Sequence, residues 1–177
     1  MRTNQHIKKM IIAALFAALT CIAAVALHTH FPGSPHGCIS PSDGVVLISG
    51  LLLGPLYGPI AAGMGAAFGD LFMGHLDHAL GTFIFKFLSA LIAFFVYRLL
   101  SKEKDSYNIV PVILAGLAGE ISMIAGFFLY DGILHGSFGA SVLNIPANCV
   151  QAIIGITMSV IVIRIMKKSN ILVMLKL

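Results

Sequence analysis

The chain has 177 residues, of which 58% are hydrophobic and only 10% charged, with a mean hydropathy of +0.97. Soluble domains carry about 25% charged and about 45–50% apolar residues, so these values exclude a soluble globular protein and leave no room for a second, soluble domain. The net charge of +4 would suggest an anionic partner in a soluble protein; here it reports membrane orientation, and no nucleic-acid partner is expected.

Runs long enough to cross a bilayer as helix, roughly 17–25 residues, follow one another along the chain. The first is "MIIAALFAALTCIAAVAL", 10–27. Lys8 and Lys9 before it and "AVA" at 24–26 give it the look of a secretory signal, but the run exceeds a usual signal core and a retained helix is expected. "HTHFPGSPHGCISP", 28–41, is too punctuated for helix and reads as a structured loop or lid. The next apolar stretch, 43–73, is divided at "GPLYGP" into spans 43–54 and 56–73. Its Gly54, Gly58, Gly63, Gly65 and Gly69, with Pro55 and Pro59, would ruin a helix in water. In lipid, small residues let helix backbones approach closely and neighbouring helices satisfy freed carbonyls. Spans at 80–100, 109–131 and 142–166 complete the set.

The expected fold is an all-α membrane protein: one domain over 1–177, a compact bundle of six transmembrane helices with both termini cytoplasmic. A single kinked helix over 43–73 would instead give five spans and put the termini on opposite sides. Charge decides between them. Six spans with the N-terminus inside gather Arg2, Lys8, Lys9, Arg98, Lys102, Lys104, Arg164, Lys167, Lys168 and Lys176 on the cytoplasmic side, leaving only Lys86 within a span.

The histidines sort in the opposite sense. His28, His30 and His36 fall in the first outer loop, His75 and His78 in the second and His135 in the third, with Asp77, Asp131 and Asn144. Imidazole with carboxylate suits zinc, nickel or cobalt, but neither "HTH" nor "HLDH" is an established ligand spacing. No resident metal or cofactor is expected, and pairing with aspartates or contact with a ligand is preferred. Cys21, Cys38 and Cys149 show no paired spacing and read as small buried hydrophobes.

Polar residues inside the spans are expensive, about 2.5–3.5 kcal/mol for an ionised group at mid-bilayer on insertion scales, so they face the bundle interior or water. Asp43, Asp70 and Lys86 lie toward the outer ends of their spans, where an Asp–Lys pair would lower the cost for both; a structural ion pair and a ligand contact are equally compatible with this. Glu120 lies near the middle of its helix and reads as a pocket or helix-packing residue. Asn144, Asn148 and Gln151, four and three apart, line one helix face, with Pro146 expected in the first turn. Such an amide stripe suits a polar, uncharged ligand or interhelical hydrogen bonds. There is no H-E-x-x-H, G-x-S-x-G or Walker motif, so neither an enzyme nor a nucleotide hydrolase is expected.

The run 39–99 resembles the substrate-binding S components of energy-coupling factor (ECF) vitamin transporters. The likeness rests on "SD" at 42–43, "GPLYG" at 54–58, the "GMGAAFGD" that ends at Asp70 and "TFIFKF" at 82–87, joined by "NIPANCVQA" at 144–152. It implies a micronutrient-binding subunit of a bacterial plasma membrane. Such subunits associate with a transmembrane T subunit and two cytoplasmic ATPases, and tip over in the membrane to carry substrate inward. Ala13, Ala14, Ala17 and Ala18 in "AALFAAL" would supply the small-residue strip that packs on the T subunit. Asp43, Asp70 and Lys86 would frame the pocket, with Glu120, Asn144, Asn148 and Gln151. Phe31, Phe68, Phe83, Phe128, Tyr130 and Phe138 offer rings near the outer side, whereas the absence of tryptophan excludes a clamp of indoles. A small, flat, polar heterocycle fits, and the likeness is greatest to the pyridoxine or hydroxymethylpyrimidine group. A metal-ion transport subunit using the outer histidines is the alternative, and a membrane enzyme a weaker third.

Overall fold

The structure, a computed structural model, describes residues 2–32, 38–101 and 107–169, with side chains from Gln5 onward. His36, Lys102, Lys104, Lys176 and the side chain of Arg2, which enter the expectations above, lie outside the described residues. In chain order the elements are α1 (Arg2–Ala26), β1 (Thr29–His30), β2 (Cys38–Ile39), α2 (Ser42–Phe72), α3 (Leu76–Leu100), α4 (Ile109–Leu134) and α5 (Phe138–Lys168). The five helices are each long and apolar enough to cross a membrane. Large apolar side chains such as Leu15, Leu99, Ile121 and Ile153 point outward, the pattern of a bundle solvated by lipid.

One helix is interrupted. At Gly54 the backbone leaves helical geometry, with φ 84° and ψ −172°, a positive-φ extended conformation that glycine adopts without penalty. Pro55 follows in the first turn beyond, where a missing N–H costs nothing. The chain folds back here: the Ser49 hydroxyl donates to the Gly58 carbonyl at 3.2 Å, although nine residues of straight helix would separate them by about 13 Å. Two antiparallel arms result, 42–53 and 55–72. The first is buried along almost its whole length, surrounded by Ala90 of α3, Leu47's neighbour Gly116 on α4, and Gly155 and Met158 of α5. The second packs on α1 through backbone, Gly65 against Ala17 and Gly69 against Ala24.

Both helical termini of the chain lie at one end of the bundle. Lys9 of α1 adjoins Leu51, Tyr97 and Arg98, and Ile163 near the end of α5 packs with Leu51, Tyr97 and Val112. The opposite end carries the histidines. There, the loop after α1 forms a two-residue antiparallel ladder, Thr29 opposite Ile39 and His30 opposite Cys38, a small departure from an all-helical chain.

The helices run further than apolarity alone indicates. α3 starts at Leu76, α4 continues to Leu134 and α5 begins at Phe138, where the Ser137 hydroxyl caps it by accepting from the Ala140 N–H. His78, Asp131 and Asn144 are therefore on helices rather than in loops, and Pro146 sits two turns inside α5 rather than in its first turn. Polar residues ended the apolar runs early, but a helix reaching the membrane surface tolerates them.

Candidate ligand-binding site

At the histidine end a cavity of about 170 Å³ opens among all five helices and the paired loop. Its floor is a buried polar junction. Asp43 begins the short arm and is fully buried; one carboxylate oxygen pairs with the Lys86 ammonium from α3. The other accepts from the Gln151 side-chain amide of α5 at 2.7 Å. The Gln151 oxygen in turn accepts from the Ser40 N–H at 3.1 Å, and the Ser40 and Ser42 hydroxyls are 2.6 Å apart. Gly155, one turn beyond Gln151, makes this approach possible, since a Cβ there would lie 2.7 Å from Cβ of Asp43. Lys86 also lies 5.8 Å above the Phe127 ring. Glu120, buried on α4, faces the same Asp43–Lys86 pair.

One wall is a second network. Asp131 accepts from the Asn144 amide at 2.9 Å, and its other oxygen faces His78 Nε2 at 3.4 Å, while His78 Nδ1 faces Asp77 at 3.2 Å. Asp70, Thr82 and Ala66 also line the cavity, with His28, His30, Cys38 and His75 from the segments that link the helices. His30 Nδ1 and the Cys38 sulfur are 3.4 Å apart. Burial pushes the Cys38 thiol up, and the nearby Asp70 carboxylate adds to it.

Of the residues expected to bind ligand, Asp70, Lys86, Asn144, Asn148 and Gln151 line the cavity, whereas Asp43 and Glu120 lie beneath it. Tyr130 is outside. Its ring packs on Gly81 and its hydroxyl donates to the Asp77 carbonyl at 2.6 Å, joining α4 to α3. The amide stripe is divided in use: Asn144 and Gln151 are engaged with aspartates, and Asn148 makes no hydrogen bond to any described residue. Phe127 supplies the one phenyl ring among the described lining residues, in place of those expected near the outer side. Asp131, His78, Ser40, Ser42, Thr82 and Phe127 were not among the expected site residues. The signals that pointed to some of them were the outer-loop histidines and aspartates, among them His78 and Asp131, and the "SD" and "TFIFKF" motifs that contain Ser42 and Thr82.

Asp77, His78 and His135 bring one potential metal-ligating atom each within 4.8 Å of one another. On α1 the two alanine frames separate. Ala13 and Ala17 are half-buried on the side of α2, while Ala14 and Ala18 are exposed among Ile11, Leu15 and Leu19.

Residues 4–168 match the sequence profile of the family described as ECF-type riboflavin transporter, S component. A protein of Pyrococcus woesei named an uncharacterized protein in a gap 3′ region is 29% identical over 120 residues, 68% of this chain and 76% of the relative. Among solved structures, the S component of a bacterial ECF transporter superposes with a TM-score of 0.72 at 19% identity, covering 97% of this chain and 99% of that one. The S component for biotin from an ECF-type ABC transporter gives 0.62 at 22% identity over 95% of each. At these identities the two structures show a shared fold.

Proposed function

The chain belongs to the family of ECF-type riboflavin transporter S components, and from that premise we propose that it captures a one-ring, polar heterocycle of the pyridoxine or hydroxymethylpyrimidine kind at the outer face of a bacterial plasma membrane. The family is one of transporter subunits, not enzymes. A T subunit and two cytoplasmic ATPases supply the energy, consistent with a chain that carries no nucleotide motif. Six crossings, with the fold-back at Gly54 dividing α2, bring both termini to the cytoplasm. The grouping of Lys8, Lys9, Arg98, Arg164, Lys167 and Lys168 at one end supports that orientation.

The observation that carries this reading is the cavity at the end remote from those cations, floored by a fixed ion pair and edged by the Asn148 amide. Its volume of about 170 Å³ is well below the roughly 300–1,000 Å³ of pockets for drug-sized ligands, which favours a single ring over a tricyclic flavin. The metal-ion alternative finds no support in the family match, and both His78 nitrogens already face carboxylates.

Equilibrium binding of pyridoxine, hydroxymethylpyrimidine and riboflavin to the purified protein tests the reading. One of the two small rings is expected to bind, and Asn148→Ala to weaken it by about tenfold, the loss of one hydrogen bond. Gln151→Ala weakens it further, because it also strips a partner from Asp43. Binding of riboflavin alone would remove the substrate assignment and leave the S-component role standing; a chain that retained none of the three would count against the cavity.

The exposed frame of α1 is the proposed docking strip for the T subunit. Ala14→Leu with Ala18→Leu is expected to reduce co-purification with the T subunit and ATPases at least about tenfold while ligand binding persists, since close helix approach needs small residues. Unchanged assembly would place the contact elsewhere.

A further inference from the structure

A second cavity, of about 260 Å³, opens at the basic end where the Gly54 turn meets α1 and α3. Lys9 and Arg98 give it two cations, Tyr57, Tyr97 and Tyr107 give it phenols, and no carboxylate lines it among the described residues. The groups are held in place. Arg98 sits 5.4 Å above the Phe94 ring, Tyr57 hydrogen-bonds His6 Nδ1 at 3.1 Å, and the Tyr97 hydroxyl accepts from the Tyr107 N–H at 3.0 Å. The end of the first arm of α2 and the start of the second both reach this cavity, so their opposite helix-end charges offset and the net positive charge comes from Lys9 and Arg98.

The lining residue Leu56 is exposed, and so are Phe95 and Leu99, which follow the lining residues Phe94 and Arg98 on α3. Two cations with no carboxylate among the described lining residues select an anion. Exposed leucine and phenylalanine suit an anion carried on acyl chains, and basic pockets between membrane helices on the cytoplasmic side hold lipid phosphates. We propose that this cavity binds a phosphate group, that of an anionic membrane phospholipid, next to the Gly54 turn. The site is separate from the outer cavity and does not depend on what that cavity binds.

Native mass spectrometry of the full chain with phosphatidylglycerol or phosphatidylcholine of matched acyl chains tests this. The wild type is expected to retain phosphatidylglycerol preferentially. Lys9→Gln with Arg98→Gln is expected to lower that relative affinity roughly 30-fold, the loss of two cation–phosphate contacts, without changing the melting temperature. A parallel titration of inorganic phosphate, followed by line broadening in phosphorus NMR, separates the sources. Preference for the anionic lipid without broadening supports the lipid. Broadening abolished by the double variant, without lipid preference, keeps the phosphate site but overturns its lipid source. Equal retention of the two lipids with no broadening, or a preference that survives the double substitution, overturns the proposal.

Discussion

Lys86→Met lowers the stability of the protein by about 3–5 kcal/mol, the cost of leaving a buried charge without its partner, and Asp43→Asn lowers it by less. The asymmetry follows from the composition of the floor. Among the described residues Lys86 is the one cation there, and it faces Asp43 directly with Glu120 close by. Removing the ammonium leaves two buried carboxyl groups without a cation. Removing the Asp43 charge leaves Lys86 with Glu120 within reach, and asparagine can still accept the hydrogen bond from Gln151. Reversible unfolding in mixed micelles measures both losses, and the double variant should lose less than their sum. Equal losses, or a larger one for Asp43→Asn, would show that Glu120 does not share the cation.

Gly58→Ala is expected to destabilise by about 3 kcal/mol, at the upper end of the cost of overpacking. A Cβ at this position would lie 2.4 Å from the Ser49 carbonyl oxygen and 2.8 Å from Cα of Gly50, and backbone cannot rotate aside. Gly54→Ala should cost about 1–3 kcal/mol, all of it the strain of a positive-φ extended backbone that is essentially confined to glycine, since nothing lies within 4 Å of its Cβ direction. The sign of the Gly58 result is diagnostic. In a straight helix over 42–72 the same substitution would stabilise by about 1 kcal/mol, because alanine is the better helix former. A stabilised Gly58→Ala in the same unfolding assay would therefore contradict the fold-back.

Much of this is legible in the amino-acid sequence. The "GPLYGP" punctuation marks the interruption at Gly54, and intramembrane charge singles out Asp43 and Lys86 because lipid makes such residues conspicuous. The helix ends were not legible. His78 and Asp131 are polar enough to look like loop, yet they occupy the first and last turns of α3 and α4. The spacing of Asn144, Asn148 and Gln151 gives the shared face but not the division of labour along it. That division depends on Asp43, 108 residues before Gln151, and on where Asp131 falls. Tyr130 had the right position for a ligand contact and a different partner, the Asp77 carbonyl. Spacing describes one helix, whereas partners are set by packing between helices.

The brevity of the first arm of α2 has an electrical consequence. It separates the two cavities by about 12 residues, roughly 18 Å, whereas a bilayer's hydrocarbon layer is about 30 Å thick. Where both cavities hold water, the low-dielectric layer between them is this septum rather than the full thickness of the bilayer. Gly50, Gly58 and Gly155 keep it sealed, because backbone there meets its packed neighbours with no gap for a methyl group.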